Sequence, residues 1–120
     1  MSLNKIYIAG PMRGYPHFNF PAFYAAGDYF NDIGWEVFNP AQKDDEEYGV
    51  EMAASNIDGS LEVAEDDGFD LRKALAMDLN WICKHATHIY MLKGWEFSRG
   101  AMAEHATAAA LGLTILYEQG

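Results

Sequence analysis

Apolar and polar positions along this chain switch between two periods. Lys5-Ile6-Tyr7-Ile8-Ala9 is a short apolar run halted by Gly10-Pro11. It predicts a buried strand that opens into a loop over Gly10–Gly14. Beyond Asn19 and Phe20, Pro21 suits a first helical turn, and Phe23, Gly27, Phe30 and Ile33 recur at helical spacing up to Gly34; a helix is expected there. Trp35-Glu36-Val37-Phe38 alternates and stops at Asn39-Pro40, as a second strand would. Strand, helix and strand in that order imply a parallel pair joined by a right-handed crossover.

Regular patterning is lost over residues 41–70 and returns with Leu71, Leu75, Leu79 and Ile82, a helix with Asp78 on or near its apolar face. Short helical pieces near Val50–Asn56 are compatible with the stretch between, which otherwise reads as an acidic insertion or lid. His88-Ile89-Tyr90-Met91-Leu92 reads as a third strand, and Lys93–Phe97 as a loop. An alanine-rich helix follows from about Arg99 to Leu111, ended by Gly112, and then a fourth strand over Leu113–Tyr117. The alternation predicts an α/β domain, a Rossmann-like (flavodoxin-like) three-layer sandwich around a four- or five-stranded, mainly parallel sheet.

Composition narrows the class. A chain of 120 residues, half of them apolar, makes one globular domain over residues 1–120. No apolar run approaches the length of a bilayer span and no secretory leader is visible, so no membrane association is expected. Cys83 is the single cysteine, which excludes a disulfide scaffold and favours a cytoplasmic setting. The formal charge is -10, and eleven of the acids lie between Asp44 and Asp70 with no Lys or Arg among them. That balance repels a nucleic-acid polymer. A small nucleotide is compatible with it, because one arginine and a few backbone N–H groups can hold one phosphate.

In parallel α/β sheets ligands sit beyond the carboxyl ends of the strands. Two loops leave strands there: Gly10–Gly14 and Lys93–Gly100. The first is either a tight turn with an exposed arginine or a backbone cradle in which Arg13 meets an anion. Ser98 is a helix N-cap, and the N–H groups it caps also attract anions. Gly100 weakens the first helical turn, which suggests that close approach matters there. Glu104 lies on the inner turn of a helix otherwise made of small residues, so it is a surface glutamate or a functional one. His85 and His88 straddle a helix end and do not share a face, so no metal is expected, and no cofactor. Tyr15, Phe18, Phe20 and Tyr24 read as exposed aromatics near the pocket and suggest a homodimer or a higher even homo-oligomer.

Lys5–Gly14, Asp78-Leu79-Asn80-Trp81 and Ser98-x-Gly100-x-x-x-Glu104 resemble the nucleoside 2-deoxyribosyltransferase-like superfamily. Within it the chain looks like the small, phage-like domains labelled DUF4406, and among the enzymes it is most similar to 2'-deoxynucleoside 5'-monophosphate N-glycosidase. The resemblance covers nearly the whole chain outside 41–70. It implies Glu104 as the nucleophile at C1' of the deoxyribose, with Tyr7 close to that carboxylate. It also implies Gly10, Met12 and Arg13 as a loop lining the nucleotide, Asp78 as a substrate-binding position, and Ser98 and Gly100 at the 5'-phosphate. A serine at that position, where the transferases carry an aspartate, favours a monophosphate over a free nucleoside. The resemblance departs at Ala86-Thr87, where the family has an Ala-Asp pair thought to protonate the departing base. Threonine cannot be a general acid. Two functions are therefore open: an N-glycosidase or deoxyribosyltransferase in which Asp78 or His88 substitutes, or a non-catalytic nucleotide-binding module that has lost the acid.

Overall fold

The computed structural model describes residues 4–49, 57–66, 68 and 70–119. Strand β1 (Lys5–Ala9) is the centre of the molecule. Ile6, Tyr7, Ile8 and Ala9 are fully buried, because β1 is flanked on both sides in a four-stranded sheet of order β2-β1-β3-β4. The partners are β2 (Glu36–Phe38), β3 (His88–Met91) and β4 (Thr114–Tyr117), and every pairing is parallel. In register, Tyr7 lies between Phe38 and Ile89.

Successive residues of a strand point to opposite faces, and β1 divides the core accordingly. Ile6 and Ile8 join Phe20, Phe23 and Phe30 of helix α1 (Phe20–Asp32). Tyr7 and Ala9 join Ile82 of helix α4 (Leu71–Lys84) and Ala101 and Ala108 of helix α5 (Arg99–Leu111). The expected three-layer α/β sandwich is thus present, with four strands. Alanines on the inner face of α5 let its backbone lie close to the sheet. Ser98 caps it by accepting from the Ala101 N–H at 3.2 Å, and Gly112 ends it in the left-handed region at φ 72°.

The described residues of 41–70 carry two helices. Asn39 and Pro40 end β2 and also start helix α2 (Pro40–Tyr48). Asn39 is buried, accepts from the Ala41 N–H at 3.0 Å and donates through Nδ2 to the Phe23 carbonyl at 3.2 Å, tying α2 to α1. Helix α3 (Leu61–Asp66) buries Ala64 in the α1-side core. The Gly14 N–H donates to the Gly59 carbonyl at 2.8 Å, so the segment before α3 is bound to the loop after β1. The helical pieces expected near Val50–Asn56 lie outside the described residues. Asp70 is the N-cap of α4, accepting from the Lys73 N–H at 3.1 Å. Ile33 is not part of the buried stripe of α1; it is exposed just past the helix end.

The aromatics read as exposed are instead interior or half-buried. Phe18 and Phe20 belong to the α1-side core, and Tyr15 and Tyr24 are half-buried. Three consecutive residues, His17, Phe18 and Asn19, take left-handed backbone at φ 53°, 55° and 62°. That turn, costly for non-glycine residues, rotates Phe18 inward. Asn19 Nδ2 anchors it by donating to the Pro11 carbonyl at 3.0 Å.

Candidate active site

Beyond the carboxyl end of β1, the loop after it meets α2, α3, α4 and the start of α5 around a cavity of about 450 Å³. Tyr7, Gly10, Met12, Arg13, Asp78, Ser98, Gly100 and Glu104 all line it. Eight positions scattered over the sequence are thereby brought into one space.

At its inner end Glu104 is only 6% exposed. The Tyr7 hydroxyl donates to Glu104 Oε2 at 2.7 Å, and the Tyr7 ring is held by Phe38 stacked at 5.4 Å and Trp81 at 6.5 Å between centroids. Burial, and then the neighbouring charge of Asp78, push the Glu104 carboxyl well above the usual carboxylate range; the Tyr7 hydrogen bond works against them. Asp78 is half-buried on α4, and burial pushes it up to about 7, again opposed by the Tyr7 hydroxyl. Tyr7 itself is raised, by burial first and then by the two carboxylates. Two carboxyls with unlike surroundings around one phenol are what acid–base chemistry at neutral pH requires: one group to give a proton while the other carries charge.

The mouth of the cavity has the opposite sign. Arg13 and Arg99 are exposed on its rim, with the first N–H groups of α5 between Ser98 and Ala101. A Cβ on Gly100 would meet no protein atom within 4 Å, so nothing in the fold requires glycine there, and the open space belongs to the cavity. Gly10 differs. A Cβ there would lie 2.7 Å from the Leu92 Cβ, so its glycine serves the packing of β1 against the end of β3 as well as lining the cavity.

Thr87 is not in the cavity. It precedes β3 at the amino edge of the sheet, where its Oγ1 accepts from the Lys5 N–H at 2.8 Å and its own N–H donates to the Lys5 carbonyl at 2.8 Å. His88, next in the chain, packs on Trp35 at 4.7 Å between centroids, and burial lowers its pKa. Neither residue lines the cavity. Of Asp78 and His88, only Asp78 lines the cavity.

Two charged residues of the cavity wall are not among the sites that the sequence singles out. Arg99 reads there only as a helix start. Asp44 was counted with the solvated acidic stretch, yet it is buried on the inner face of α2 with Ala41, three residues before it. The usable signal was Asn39-Pro40 as an N-cap and first-turn proline, which places Ala41 and Asp44 on one helical face. Among the described residues no group of three or more His, Cys, Asp or Glu side chains is placed to hold a metal. No helix is long and apolar enough to cross a membrane among them.

Fold and cavity define an α/β domain with a cavity beyond the carboxyl end of β1, basic at its rim and carboxylate-lined within. The chain belongs to the family described as Domain of unknown function (DUF4406), which matches residues 4–117. No curated protein and no solved structure matches it.

Proposed function

We propose that this protein cleaves the N-glycosidic bond of 2'-deoxynucleoside 5'-monophosphates, with Glu104 as nucleophile. The observation that carries the reading is the buried Tyr7–Glu104 hydrogen bond, 2.7 Å long, on the wall of a cavity that Asp78 also lines. The phosphate lies at the rim, against Arg13, Arg99 and the free N–H groups of α5; Ser98 and the open Gly100 leave room for it. The sugar then reaches inward over Glu104.

In the first step a Glu104 carboxylate oxygen forms a bond to C1' while the C1'–N bond breaks. Its electron pair leaves with the base, and Asp78 supplies the proton that makes the base a neutral product. Such proton delivery is typically worth about 10² to 10⁴ in rate. In the second step water attacks C1', gives its proton to Asp78, and releases Glu104, so that deoxyribose 5-phosphate leaves with net retention. A second base in place of water makes the same site a deoxyribosyltransferase. Tyr7 holds the nucleophile in place and favours its ionised form.

The test is chromatographic detection of free base after incubation with each deoxynucleoside monophosphate. Glu104→Gln should lower release by orders of magnitude while leaving binding nearly unchanged. A 2'-fluoro-2'-deoxynucleotide should add mass to the peptide that contains Glu104. Binding without base release, in the original protein and at every pH, would favour a nucleotide-binding module. The sequence argument for that module turns on Thr87, which does not line the cavity.

A further inference from the structure

The mechanism above leaves one buried group unused. Asp44 lines the cavity and is 9% exposed. Its carboxyl has no hydrogen bond to any described residue. Tyr7 is bonded to Glu104, and the Ser98 Oγ to the Ala101 N–H. The same cavity wall carries apolar side chains: Phe23 from α1, Leu61 and Ala64 from α3, and Leu75 from α4. An unpaired carboxyl in such a wall costs free energy unless a ligand satisfies it.

We propose that Asp44 recognises the base of the substrate, accepting a hydrogen bond from the exocyclic amino group of an adenine- or cytosine-type ring. This rests on reading the cavity as a deoxynucleotide site. With phosphate at the rim arginines and the sugar over Glu104, the base is the part left to meet the apolar wall, and Asp44 is the polar group waiting in it. A carboxylate only accepts. It satisfies an amino group at C6 of a purine or C4 of a pyrimidine, and it repels the carbonyl oxygen that replaces that amino group in hypoxanthine or uracil.

The discrimination depends on the charge of Asp44. Burial, then the charge of Asp78, and then those of Asp45 and Glu47 on its own helix push it up to about 8. The cavity also contributes Tyr7 and Glu104 on the inner side and the Arg13 and Arg99 cations at the rim. Below that value the neutral carboxyl donates as well as accepts, and a carbonyl becomes acceptable. Above it only the amino ring is accommodated. Binding an amino ring favours the ionised form and lowers the Asp44 pKa in the complex.

Matched substrates test this directly: dCMP against dUMP, and dAMP against dIMP, each pair differing in one amino-for-oxo exchange. Affinity is measured by titration calorimetry, and kcat/KM by base release, at pH 6 and pH 9. The amino member should be preferred about tenfold or more at pH 9 in each pair, with a smaller ratio at pH 6. In Asp44→Asn, whose amide presents either a donor or an acceptor, the ratio should fall toward one at both pH values. If that variant does not fold, the pH dependence of the ratio in the original protein still decides. A ratio near one in the original protein at pH 9, or a preference that Asp44→Asn leaves intact, overturns the proposal. Base release with no amino preference sinks Asp44 as the reader and leaves the glycosidase reading standing. An amino preference in binding without base release does the reverse. Failure to bind any of the four overturns both.

Discussion

Tyr7 and Glu104 are 97 residues apart in sequence and joined by a buried 2.7 Å hydrogen bond. Tyr7 is fixed in the central strand, so it gives the carboxylate on α5 a rigid reference. Tyr7→Phe should retain the packing against Phe38 and Trp81 and withdraw the hydroxyl from both Glu104 and Asp78. Because the hydroxyl holds the Glu104 pKa down against burial, its loss raises that pKa further. We expect the acid limb of the rate profile to move to higher pH and kcat to fall by about one to two orders of magnitude at pH 6. The cost in stability should be about 1 kcal/mol. An unshifted acid limb would show that Tyr7 does not act on the nucleophile.

Base release should follow a bell in pH. Its alkaline side reports loss of the proton from Asp78, whose pKa burial raises to about 7. The two carboxyls interact, so the limbs belong to the pair. Asp78→Asn should remove the alkaline limb and slow release by about 10² to 10⁴. Retention of both limbs in that variant would assign the proton to another group.

Stability should fall as pH rises. Folding raises the pKa of Asp44, Asp78 and Glu104, so the folded chain holds protons that the unfolded chain has released. The associated stability is complete below the ordinary carboxylate range and is lost as pH rises through about 7 and 8, the folded values of Asp78 and Asp44. Thermal unfolding should show a lower Tm at pH 9 than at pH 5.5. Asp44→Asn should raise Tm at pH 9 by several degrees, roughly 1 kcal/mol or more, with little effect at pH 5. A Tm that increases from pH 5.5 to 9 would contradict the burial of these groups.

Gly100→Ala separates fold from function. The added methyl meets no protein atom within 4 Å and improves helix propensity by up to about 1 kcal/mol. The protein should therefore become slightly more stable while its affinity for a monophosphate drops, because the methyl enters the anion space. Equal affinity in the two proteins would move the phosphate elsewhere.

Self-association should be visible by light scattering at micromolar concentration. The aromatics first suspected are not the reason, since Phe18 and Phe20 are interior. Phe97 is, standing 89% exposed on the lip of the cavity, with Met102 and Leu111 exposed along α5. A dimer covering this lip should dissociate on Phe97→Ser; a monomer in both proteins would refute the assembly.

The sequence by itself determined the layer order. Ile6, Tyr7, Ile8 and Ala9 are all apolar because β1 is covered on both faces, and an all-apolar run needs no tertiary information to be read. Ser98 and Gly112 bracketed α5 for equally local reasons: a side-chain cap at one end and a left-handed residue at the other. The membership of the cavity was legible in part, because the loop after β1 and the start of α5 both leave carboxyl ends of parallel strands. What only the tertiary structure decided was the sign and use of each carboxyl. Asp44 sits in a run of acids that reads as solvated, and it turns inward because Asn39 clamps α2 onto α1 through the Phe23 carbonyl. Thr87 stands beside strand residues in sequence, and its place at the amino edge keeps it out of the cavity. Charge is long-ranged and burial is collective, so neither can be read from the residues next in the chain. Asp78 and Glu104 come together around Tyr7 only because α4 and α5 lie side by side on the same face of the sheet.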